Sequence, residues 1–277
     1  MTSHRTKSTA ERPTKDRFAA PKRSLGQNFL TDPNIARKIV DALDIKPGEH
    51  VLEIGPGRGA LTRFILARQP GRYLLLEKDD VLADALEAAH PGIEVVRGDA
   101  LKYPWQELSA ADGWKIVGNL PYNIASPLIW DIVGQAKFAR AVFMVQLEAG
   151  QRIAAHSGGR DYGGLSVWVQ SHAAVDLLFK VPPHVFQPQP RVTSAVLRFF
   201  LHPQPLASEQ GRALSATLRM CFQQRRKQLA TILKSNGILE YVELLQSLGI
   251  DPTQRPETLE PERFQALAKS LRSHFPA

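Results

Sequence analysis

The sequence predicts an α/β fold in which a doubly wound, mostly parallel sheet with an antiparallel edge is followed by a small all-α region. Three features carry this prediction. Between residues 33 and 145, short aliphatic runs alternate with helix-length amphipathic segments, the pattern of repeated βαβ units. Two later β runs have no helix-length segment between them, which favours an antiparallel pair. Beyond residue 208 the apolar residues recur at helical spacing only.

The individual elements follow in order from capping residues and periodicity. The first helix is predicted to begin at Asp32-Pro33, since Asp caps helices and Pro suits the first helical position. Seven apolar runs are predicted strands: Val51–Ile54, Tyr73–Glu77, Ile93–Val96, Ile116–Val117, Ala141–Val145, Val175–Val181 and Val192–Phe200. The remaining helices are predicted at Ala60–Ala67, Val81–Ala89, Pro127–Val133, 209–234, 238–248 and 261–273.

The chain is predicted to divide into three regions. Residues 1–20 lack hydrophobic periodicity and are rich in Ser, Thr and charged residues, so a disordered basic tail is expected. Residues 21–201 contain all the predicted strands and form the α/β domain. The Pro-rich stretch His202-Pro203-Gln204-Pro205 then leads into a helical domain over residues 202–277.

The composition is that of a folded globular protein, with 277 residues of which 43% are hydrophobic and 22% charged. No apolar run approaches the ~18 residues of a membrane-spanning helix, and no apolar N-terminal stretch indicates a secretory signal. The single cysteine, Cys221, excludes an internal disulfide framework, and no Cys/His spacing indicates a metal site. We therefore expect a cytoplasmic protein with no membrane contact and no bound metal.

The net charge of +8 comes from the two ends of the chain. Residues 1–24 carry a net charge of +5 and residues 202–277 a net charge of +3, whereas residues 25–201 hold 18 basic and 18 acidic side chains. A basic excess favours an anionic partner such as nucleic acid. The neutral middle must recognise its ligand through individually placed polar groups.

A glycine-rich turn and a later acidic residue indicate a nucleoside-containing cofactor. Gly55-Pro56-Gly57-Arg58-Gly59 joins a predicted strand to a predicted helix, where a backbone without side chains can approach a ligand closely. Glu77 ends the next strand, where a carboxylate can accept both hydroxyls of a ribose. These features fit the dinucleotide site of a dehydrogenase as well as the nucleoside site of a methyltransferase.

Two further motifs favour methyl transfer to an exocyclic amine. Asp99 follows the third strand, where its carboxylate can accept from the amino group of an adenine. Asn119-Leu120-Pro121-Tyr122 follows the fourth strand, at the edge where open α/β sheets bind ligands. The N6 of adenine is a poor nucleophile, because its lone pair is delocalised into the ring. Acceptors for its two hydrogens therefore favour the tetrahedral, reactive nitrogen.

The residues of this tetrapeptide suit that task. The side-chain oxygen of Asn119 and a backbone carbonyl near Leu120 can accept the two N6 hydrogens. Pro121 stiffens the turn and has no N–H that would compete as a donor. Tyr122 supplies a ring on which a base can stack once it is splayed out of its helix.

Taken in order, these motifs resemble the ribosomal RNA adenine N6,N6-dimethyltransferases, and among them the enzymes of small-subunit (16S) RNA. The resemblance spans roughly residues 22–270. It implies a Rossmann-like class I methyltransferase fold, S-adenosyl-L-methionine as cofactor, and dimethylation of two adjacent adenosines in the loop of the 3′-terminal hairpin of 16S rRNA. The further motifs that support it are Ser24-Leu25-Gly26-Gln27-Asn28-Phe29-Leu30, Tyr162-Gly163-Gly164-Leu165-Ser166-Val167, Phe186-Gln187-Pro188-Gln189-Pro190-Arg191-Val192-Thr193-Ser194-Ala195 and Phe222-Gln223-Gln224-Arg225-Arg226-Lys227.

The resemblance also implies site roles. The cofactor would be held by Asn28, Leu30, Gly55, Glu77 and Asp99, with Asn119 at the junction of the methyl group and the acceptor. Tyr122 and Phe186 would flank the target adenine, and the Pro-rich loop around Phe186 is expected to present that ring to solvent.

The predicted helix 209–234 is the candidate RNA contact. Its apolar residues share one face, Arg212, Arg219 and Arg226 recur at heptad spacing on another, and Arg225-Arg226-Lys227 adds a compact basic cluster suited to phosphates. A merely solvated amphipathic face is the alternative. The implied partner is 16S rRNA within the 30S subunit or a late assembly intermediate, bound by a monomer.

Three other functions fit parts of the sequence. A 23S RNA dimethylase shares the cofactor motifs, but the Phe186 loop and Arg225-Arg226-Lys227 favour the small-subunit enzymes. A non-catalytic assembly factor on the same fold would not need intact Gly55, Asp99 and Asn119–Tyr122. A dehydrogenase leaves the Asn119–Tyr122 motif unexplained.

Overall fold

The computed structural model describes residues 21–22, 25–108, 113–224 and 226–275. The predicted tail, residues 1–20, lies outside these ranges. In the described chain the strands are β1 (Phe29–Leu30), β2 (His50–Ile54), β3 (Arg72–Glu77), β4 (Glu94–Arg97), β5 (Lys115–Asn119), β6 (Arg140–Gln146), β7 (Ala173–Val181), β8 (Phe186–Gln187) and β9 (Ser194–Leu201).

The α-helices of the same ranges lie between and after these strands. They are α1 (Pro33–Leu43), α2 (Thr62–Leu66), α3 (Asp80–Ala89), α4 (Ala125–Gln135), α5 (Leu147–Ile153), α6 (Gly164–His172), α7 (Ser208–Phe222), α8 (Leu229–Ser235), α9 (Tyr241–Ser247) and α10 (Pro261–Ser270). Asp32 caps α1 as predicted, accepting from the backbone N–H groups of Asn34 and Ile35. None of the described helices is both long and apolar enough to cross a membrane.

Seven strands form one twisted sheet in the order β4-β3-β2-β5-β6-β9-β7. The five strands from β4 to β6 are parallel, while β9 runs antiparallel to both β6 and β7. The predicted doubly wound sheet with an antiparallel edge is therefore confirmed. The short strands β1 and β8 form a separate antiparallel pair.

Successive residues of the central strands point to opposite faces and enter two hydrophobic clusters. Leu52 and Ile116 face one cluster together with α4 and α6. Val51 and Val117 face the other, which α1 covers. Both faces of the sheet are thus buried under helices, which explains why the strands read as continuous apolar runs.

The order of the strands reverses at β2, because β3 lies on one side of it and β5 on the other. Open α/β sheets bind their ligands at such a point, outside the carboxyl ends of the strands. Gly118 lets β2 and β5 approach there, since a Cβ at this position would lie 2.8 Å from the carbonyl oxygen of Ile54.

The C-terminal helices pack directly on the sheet domain. α7 and α10 contact each other and both contact α6. Leu214 of α7 and Phe264 of α10 belong to the same buried cluster as Val167 of α6. The helical region that begins after the Pro-rich stretch therefore shares one core with the α/β domain predicted at 21–201.

The single helix predicted over 209–234 was wrong. α7 ends at Phe222, whose ring packs against Tyr162 and Phe264. α8 begins at Leu229, whose N–H donates to the carbonyl of Gln254. Of the polar residues between these anchors, Gln223, Gln224, Arg226 and Lys227 lie in turns or a bend and not in a helix. Two helices that the sequence patterns did not predict, α5 and α6, precede β7.

Candidate active site

A cavity opens at the carboxyl ends of β2, β3, β4 and β5, at the point where the strand order reverses. One wall is formed by residues 25–29 of the segment Leu25–Leu30, which we call the strap. The lining includes eight of the residues predicted from the sequence, and these come from five separate segments. They are Asn28, Gly55, Glu77, Asp99, Asn119, Leu120, Pro121 and Tyr122.

The glycine turn after β2 leaves the cavity floor open. Gly55 has φ +61°, a conformation that disfavours other residues, and a Cβ built there would meet no atom within 4 Å. Two residues further on, Gly57 also has positive φ, and a Cβ there would come within 3.0 Å of the Phe29 ring of the strap. The turn is therefore a cradle that a ligand can approach closely at Gly55 and that the strap covers at Gly57.

Glu77, at the end of β3, is a buried carboxyl held by backbone donors. Its Oε1 accepts from the N–H groups of Lys78 and Asp79, both at 2.9 Å, and its Oε2 accepts from the N–H of Gly57 at 3.1 Å. Burial nevertheless raises the pKa of Glu77 above its usual value. These contacts orient the carboxyl towards the cavity and leave Oε2 with room for a further donor, such as a hydroxyl.

Asp99 lies across the same end of the cavity. Its Oδ2 pairs with Nζ of Lys78 at 2.7 Å and its Oδ1 accepts from the N–H of Leu101 at 3.1 Å. The Lys78 ammonium lowers the pKa of Asp99. Lys78 also lines the cavity and was not among the residues predicted from the sequence. Asp99 is therefore an ionised acceptor.

Asn119 ends β5 and has a defined amide orientation. Its Nδ2 donates to the backbone carbonyl of Asn28 at 2.9 Å. Because a carbonyl oxygen can only accept, this contact assigns the amide and turns Oδ1 away from the strap. Within the described chain, Oδ1 has no hydrogen-bond partner of its own, so it is an unused acceptor at the cavity wall.

The remaining residues of the tetrapeptide fix the geometry around Asn119. Leu120 is buried, and its N–H donates to the carbonyl of Met144 on β6. The half-buried Tyr122 is held at its hydroxyl, which lies 2.7 Å from Oγ of the fully buried Ser194. Burial raises the pKa of Tyr122, so the phenol stays protonated. Its ring is thereby fixed at the cavity while the hydroxyl is tied to β9.

A buried polar network beneath the glycine turn was not predicted. Glu53 of β2 is 1% exposed and accepts hydrogen bonds from the hydroxyls of Tyr73 and Thr62. Burial raises the pKa of Glu53 to about 7. The network ties β2 to β3 and to α2 on either side of the turn. The acidic residue before the glycines was the available signal, but its burial was not evident from the sequence.

The strap is fixed to the body of the protein at Asp79. Gln27 donates from Nε2 to Asp79 Oδ2 at 3.0 Å, and Lys22 pairs with Oδ1 at 2.8 Å. Although burial acts in the opposite direction, these hydrogen bonds lower the pKa of Asp79. The signal in the sequence was the motif Gln27-Asn28, but nothing in it identified Asp79 as the partner.

Two predicted residues do not line the cavity. Leu30 and Phe186 face each other in the β1–β8 pair, and both side chains enter the hydrophobic cluster under the sheet. The expectation that Phe186 presents its ring to solvent was wrong, since the residue is only 4% exposed. Phe186 and Gln187 of the Pro-rich loop pair with the strap, which turns the Phe186 ring inward. Contact of either residue with a ligand stays a prediction.

The described part of the predicted RNA-binding cluster lies in the turn between α7 and α8. Arg226 and Lys227 are exposed there, whereas Arg225 lies outside the described residues. Arg212 and Arg219 are exposed on α7. The cluster is therefore a loop surface on the helical region and not part of a continuous helical stripe.

The crevice lies at the point where the strand order reverses. It has acceptors for a nucleoside at one end and an oriented amide acceptor at the other. These features define a class I S-adenosylmethionine-dependent methyltransferase. A family model described as "Ribosomal RNA adenine dimethylase" matches residues 19–273. The chain belongs to this family.

Relatives and solved structures agree with this assignment. The Ribosomal RNA small subunit methyltransferase A of Maridesulfovibrio salexigens is 50% identical over 256 residues, which are 92% of this chain and 97% of that protein. The protein of the same description from Nitratidesulfovibrio vulgaris strain DP4 is 52% identical over 255 residues, covering 90% and 96% of the two chains.

Two crystal structures resemble the whole fold. A dimethyladenosine transferase from Plasmodium falciparum superposes with a TM-score of 0.76 at 26% identity, covering 88% of this chain and 98% of that one. The 23S rRNA methyltransferase ErmE superposes with a TM-score of 0.65 at 26% identity, covering 88% and 99% of the two chains.

Proposed function

We propose that this methyltransferase dimethylates N6 of two adjacent adenosines in the loop of the 3′-terminal hairpin of 16S rRNA. It acts as a monomer in the cytoplasm on the 30S subunit or a late assembly intermediate, and contributes to small-subunit biogenesis. The observation that carries the proposal is the amide of Asn119, whose acceptor oxygen is directed away from the strap beside the fixed ring of Tyr122. The relatives named for small-subunit RNA support the choice of substrate.

The residues of the cavity fit the cofactor. The open floor at Gly55 gives space for close approach to its methionine end, and Asn28 closes the wall opposite. Glu77 has an oxygen available to a ribose hydroxyl, and Asp99 is an ionised acceptor for the adenine amino group. When bound, S-adenosylmethionine supplies an electrophilic methyl group on a sulfonium.

Asn119 activates the acceptor by hydrogen bonding. Oδ1 accepts one hydrogen of the adenine N6, and a backbone carbonyl of the tetrapeptide accepts the other. These bonds are strongest when the nitrogen is tetrahedral and its lone pair is free to attack, so they stabilise the transition state more than the planar ground state. No separate general base is required, because a tetrahedral, positively charged N6 loses its proton readily once the methyl group has been transferred.

Tyr122 positions the target base. Its ring offers a stacking face for an adenosine that leaves the RNA helix, and the hydrogen bond to Ser194 prevents the ring from turning away. Base stacking on an aromatic side chain contributes about 1–3 kcal/mol. Because the tetrapeptide carries both Tyr122 and Asn119, stacking brings N6 to the acceptor oxygen.

Basic side chains of the protein also bind the phosphates of the RNA. Arg226 and Lys227 are exposed on the helical region and provide two cations for the backbone, with Arg225 next to them in the sequence. The charge of the helical region and of the N-terminal residues supports a polyanionic partner, since residues 25–201 carry no net charge.

A methyl-transfer assay tests the substrate. Small and large ribosomal subunits without adenine dimethylation are incubated separately with the protein and S-adenosylmethionine labelled in the methyl group. We expect label in the RNA of the small subunit only. Label confined to the large subunit would overturn the proposed substrate in favour of the 23S enzymes, and absence of label from both would overturn the proposed activity.

A further inference from the structure

A buried carboxylate binds the strap near its N-terminal end. Asp79 is 2% exposed at its side chain and lies two residues beyond Glu77. Its Oδ1 accepts from Nζ of Lys22 and from the N–H of Val81, at 2.8 and 3.1 Å. Its Oδ2 accepts from Nε2 of Gln27 at 3.0 Å. One carboxylate thus caps α3 and grips the strap at the same time.

Gln27 is fixed at both ends of its amide. While Nε2 donates to Asp79, Oε1 accepts from the backbone N–H of Lys22 at 2.7 Å. The next residue, Asn28, presents its carbonyl to the amide of Asn119 at 2.9 Å. The position of the Asn119 amide therefore depends on the strap. Gln27, which precedes Asn28, anchors the strap to Asp79.

The strap also covers the cavity. Leu25, Gly26, Gln27, Asn28 and Phe29 all contribute to its lining. Beyond Asn28 the strap is held by the β1–β8 pair, through the Phe29↔Gln187 and Leu30↔Phe186 positions, by the Arg58 guanidinium over the Phe29 ring, and by the burial of Leu30 in the cluster under the sheet. To move away from the cavity, Gln27 must break its hydrogen bond to Asp79.

We propose that Asp79, Gln27 and Lys22 form a latch that closes the strap over S-adenosylmethionine and, through Asn28, positions Asn119 for the acceptor nitrogen. The proposal rests on the proposed function only in taking N6 as the acceptor. Gln27 and Asp79 are positioning residues, because they act through the strap. The latch slows release of the cofactor and raises the fraction of molecules in which Asn119 is correctly oriented.

The polarity of the Gln27–Asp79 contact gives a sharp test. Gln27→Glu keeps the acceptor for the Lys22 N–H but sets two carboxylate oxygens against each other. Asp79→Asn keeps the acceptor oxygen for Lys22 and Val81 but sets two amide nitrogens against each other. Asn caps helices as well as Asp does, so α3 is preserved. We expect each single variant to raise the dissociation constant for S-adenosyl-L-homocysteine, measured by titration calorimetry, about tenfold.

The double variant Gln27→Glu/Asp79→Asn reverses donor and acceptor and restores the hydrogen bond. The amide introduced at position 79 can donate to the carboxylate introduced at position 27, while every other contact of the pair is kept. We expect its dissociation constant to return to within about twofold of the wild-type value. At saturating cofactor, the kcat for methyl transfer to small subunits should still be lower in each single variant than in the wild-type protein. It should recover in the double variant.

A third variant changes a partly exposed side chain, so we expect it to leave folding intact. Lys22 is 45% exposed at its side chain, and Lys22→Met should speed dissociation of S-adenosyl-L-homocysteine. Lys46→Met is the matched control: it removes a Lys–Asp pair of similar length, 2.6 Å to Asp44, outside the cavity lining. We expect no change in that variant.

The outcomes separate the latch from the proposed function. Folded single variants with wild-type affinity and a wild-type dissociation rate would overturn the latch, and so would a double variant in which the two losses simply add. Failure of the wild-type protein to bind S-adenosyl-L-homocysteine would instead contradict the cofactor assignment. Normal binding by all variants with methyl transfer to a different RNA would contradict the proposed substrate and the latch together.

Discussion

Replacement of Asn119 by Ala should separate catalysis from cofactor binding. The change removes the acceptor oxygen Oδ1 and the hydrogen bond from Nδ2 to the Asn28 carbonyl. Loss of one oriented group that acts in the transition state lowers kcat by about 10² to 10³. The bond to Asn28 contributes on the order of 1 kcal/mol, and water can replace it because Asn28 is only half-buried. The affinity for cofactor should therefore change less than about fivefold.

Single-turnover methyl transfer to small subunits at saturating cofactor measures the first effect, and calorimetry with S-adenosyl-L-homocysteine measures the second. Asn119→Asp is the matched variant, because it keeps an acceptor oxygen but places a second oxygen against the Asn28 carbonyl. Its rate should lie between those of the wild-type protein and Asn119→Ala. Equal losses of rate and affinity in Asn119→Ala would refute the assigned role, and so would a rate within about threefold of wild type.

Three further predictions concern different parts of the molecule. Ser194→Ala frees the Tyr122 hydroxyl, so we expect the KM for RNA to rise about fivefold while the affinity for cofactor is unchanged. Steady-state kinetics at varied RNA concentration measure this KM, and a constant KM would contradict the prediction. Glu53 has its pKa raised to about 7 by burial, so the folded state favours the neutral carboxyl and loses stability as pH rises from 4.5 through 7. Relative to Glu53→Gln, the wild-type free energy of unfolding should fall by on the order of 3 kcal/mol between pH 5 and pH 8 in denaturant titrations, and parallel pH profiles of the two proteins would contradict it. Replacement of Arg226 and Lys227 by Met should weaken RNA binding and reduce the slope of log K against log salt by about 1–2, whereas an unchanged slope would make this turn a solvated surface.

The parallel part of the sheet was predictable because its strands are buried on their faces by the helices that cover the sheet. Val51–Ile54 and Ala141–Val145 lie in strands covered on both sides, so their apolar runs have few alternative explanations. Asp32-Pro33 marked its helix through a local capping contact. Glu77 and Asp99 were found for a related reason: they follow parallel strands, and the carboxyl ends of these strands meet at one edge of the sheet.

The features missed in the sequence depend on contacts between distant segments. The β1–β8 pair consists of two-residue strands, too short for any period, and it accompanies the burial of Phe186 in the hydrophobic cluster under the sheet. The break after Phe222 is set by ring contacts with Tyr162 and Phe264, while the polar residues that follow are compatible with a helix. The anchor of the strap at Asp79 joins residues 52 positions apart, and neither side of it has a distinctive sequence pattern.

The central claim is that this cavity dimethylates adjacent adenosines of small-subunit RNA. Mass spectrometry of nuclease fragments from 16S rRNA tests it directly, after unmodified 30S particles have been incubated with the protein and S-adenosylmethionine. We predict N6,N6-dimethyladenosine at two neighbouring positions in the loop of the 3′-terminal hairpin, and at no other position. Methylation elsewhere in the RNA, or a product that stops at monomethyladenosine, would contradict the account.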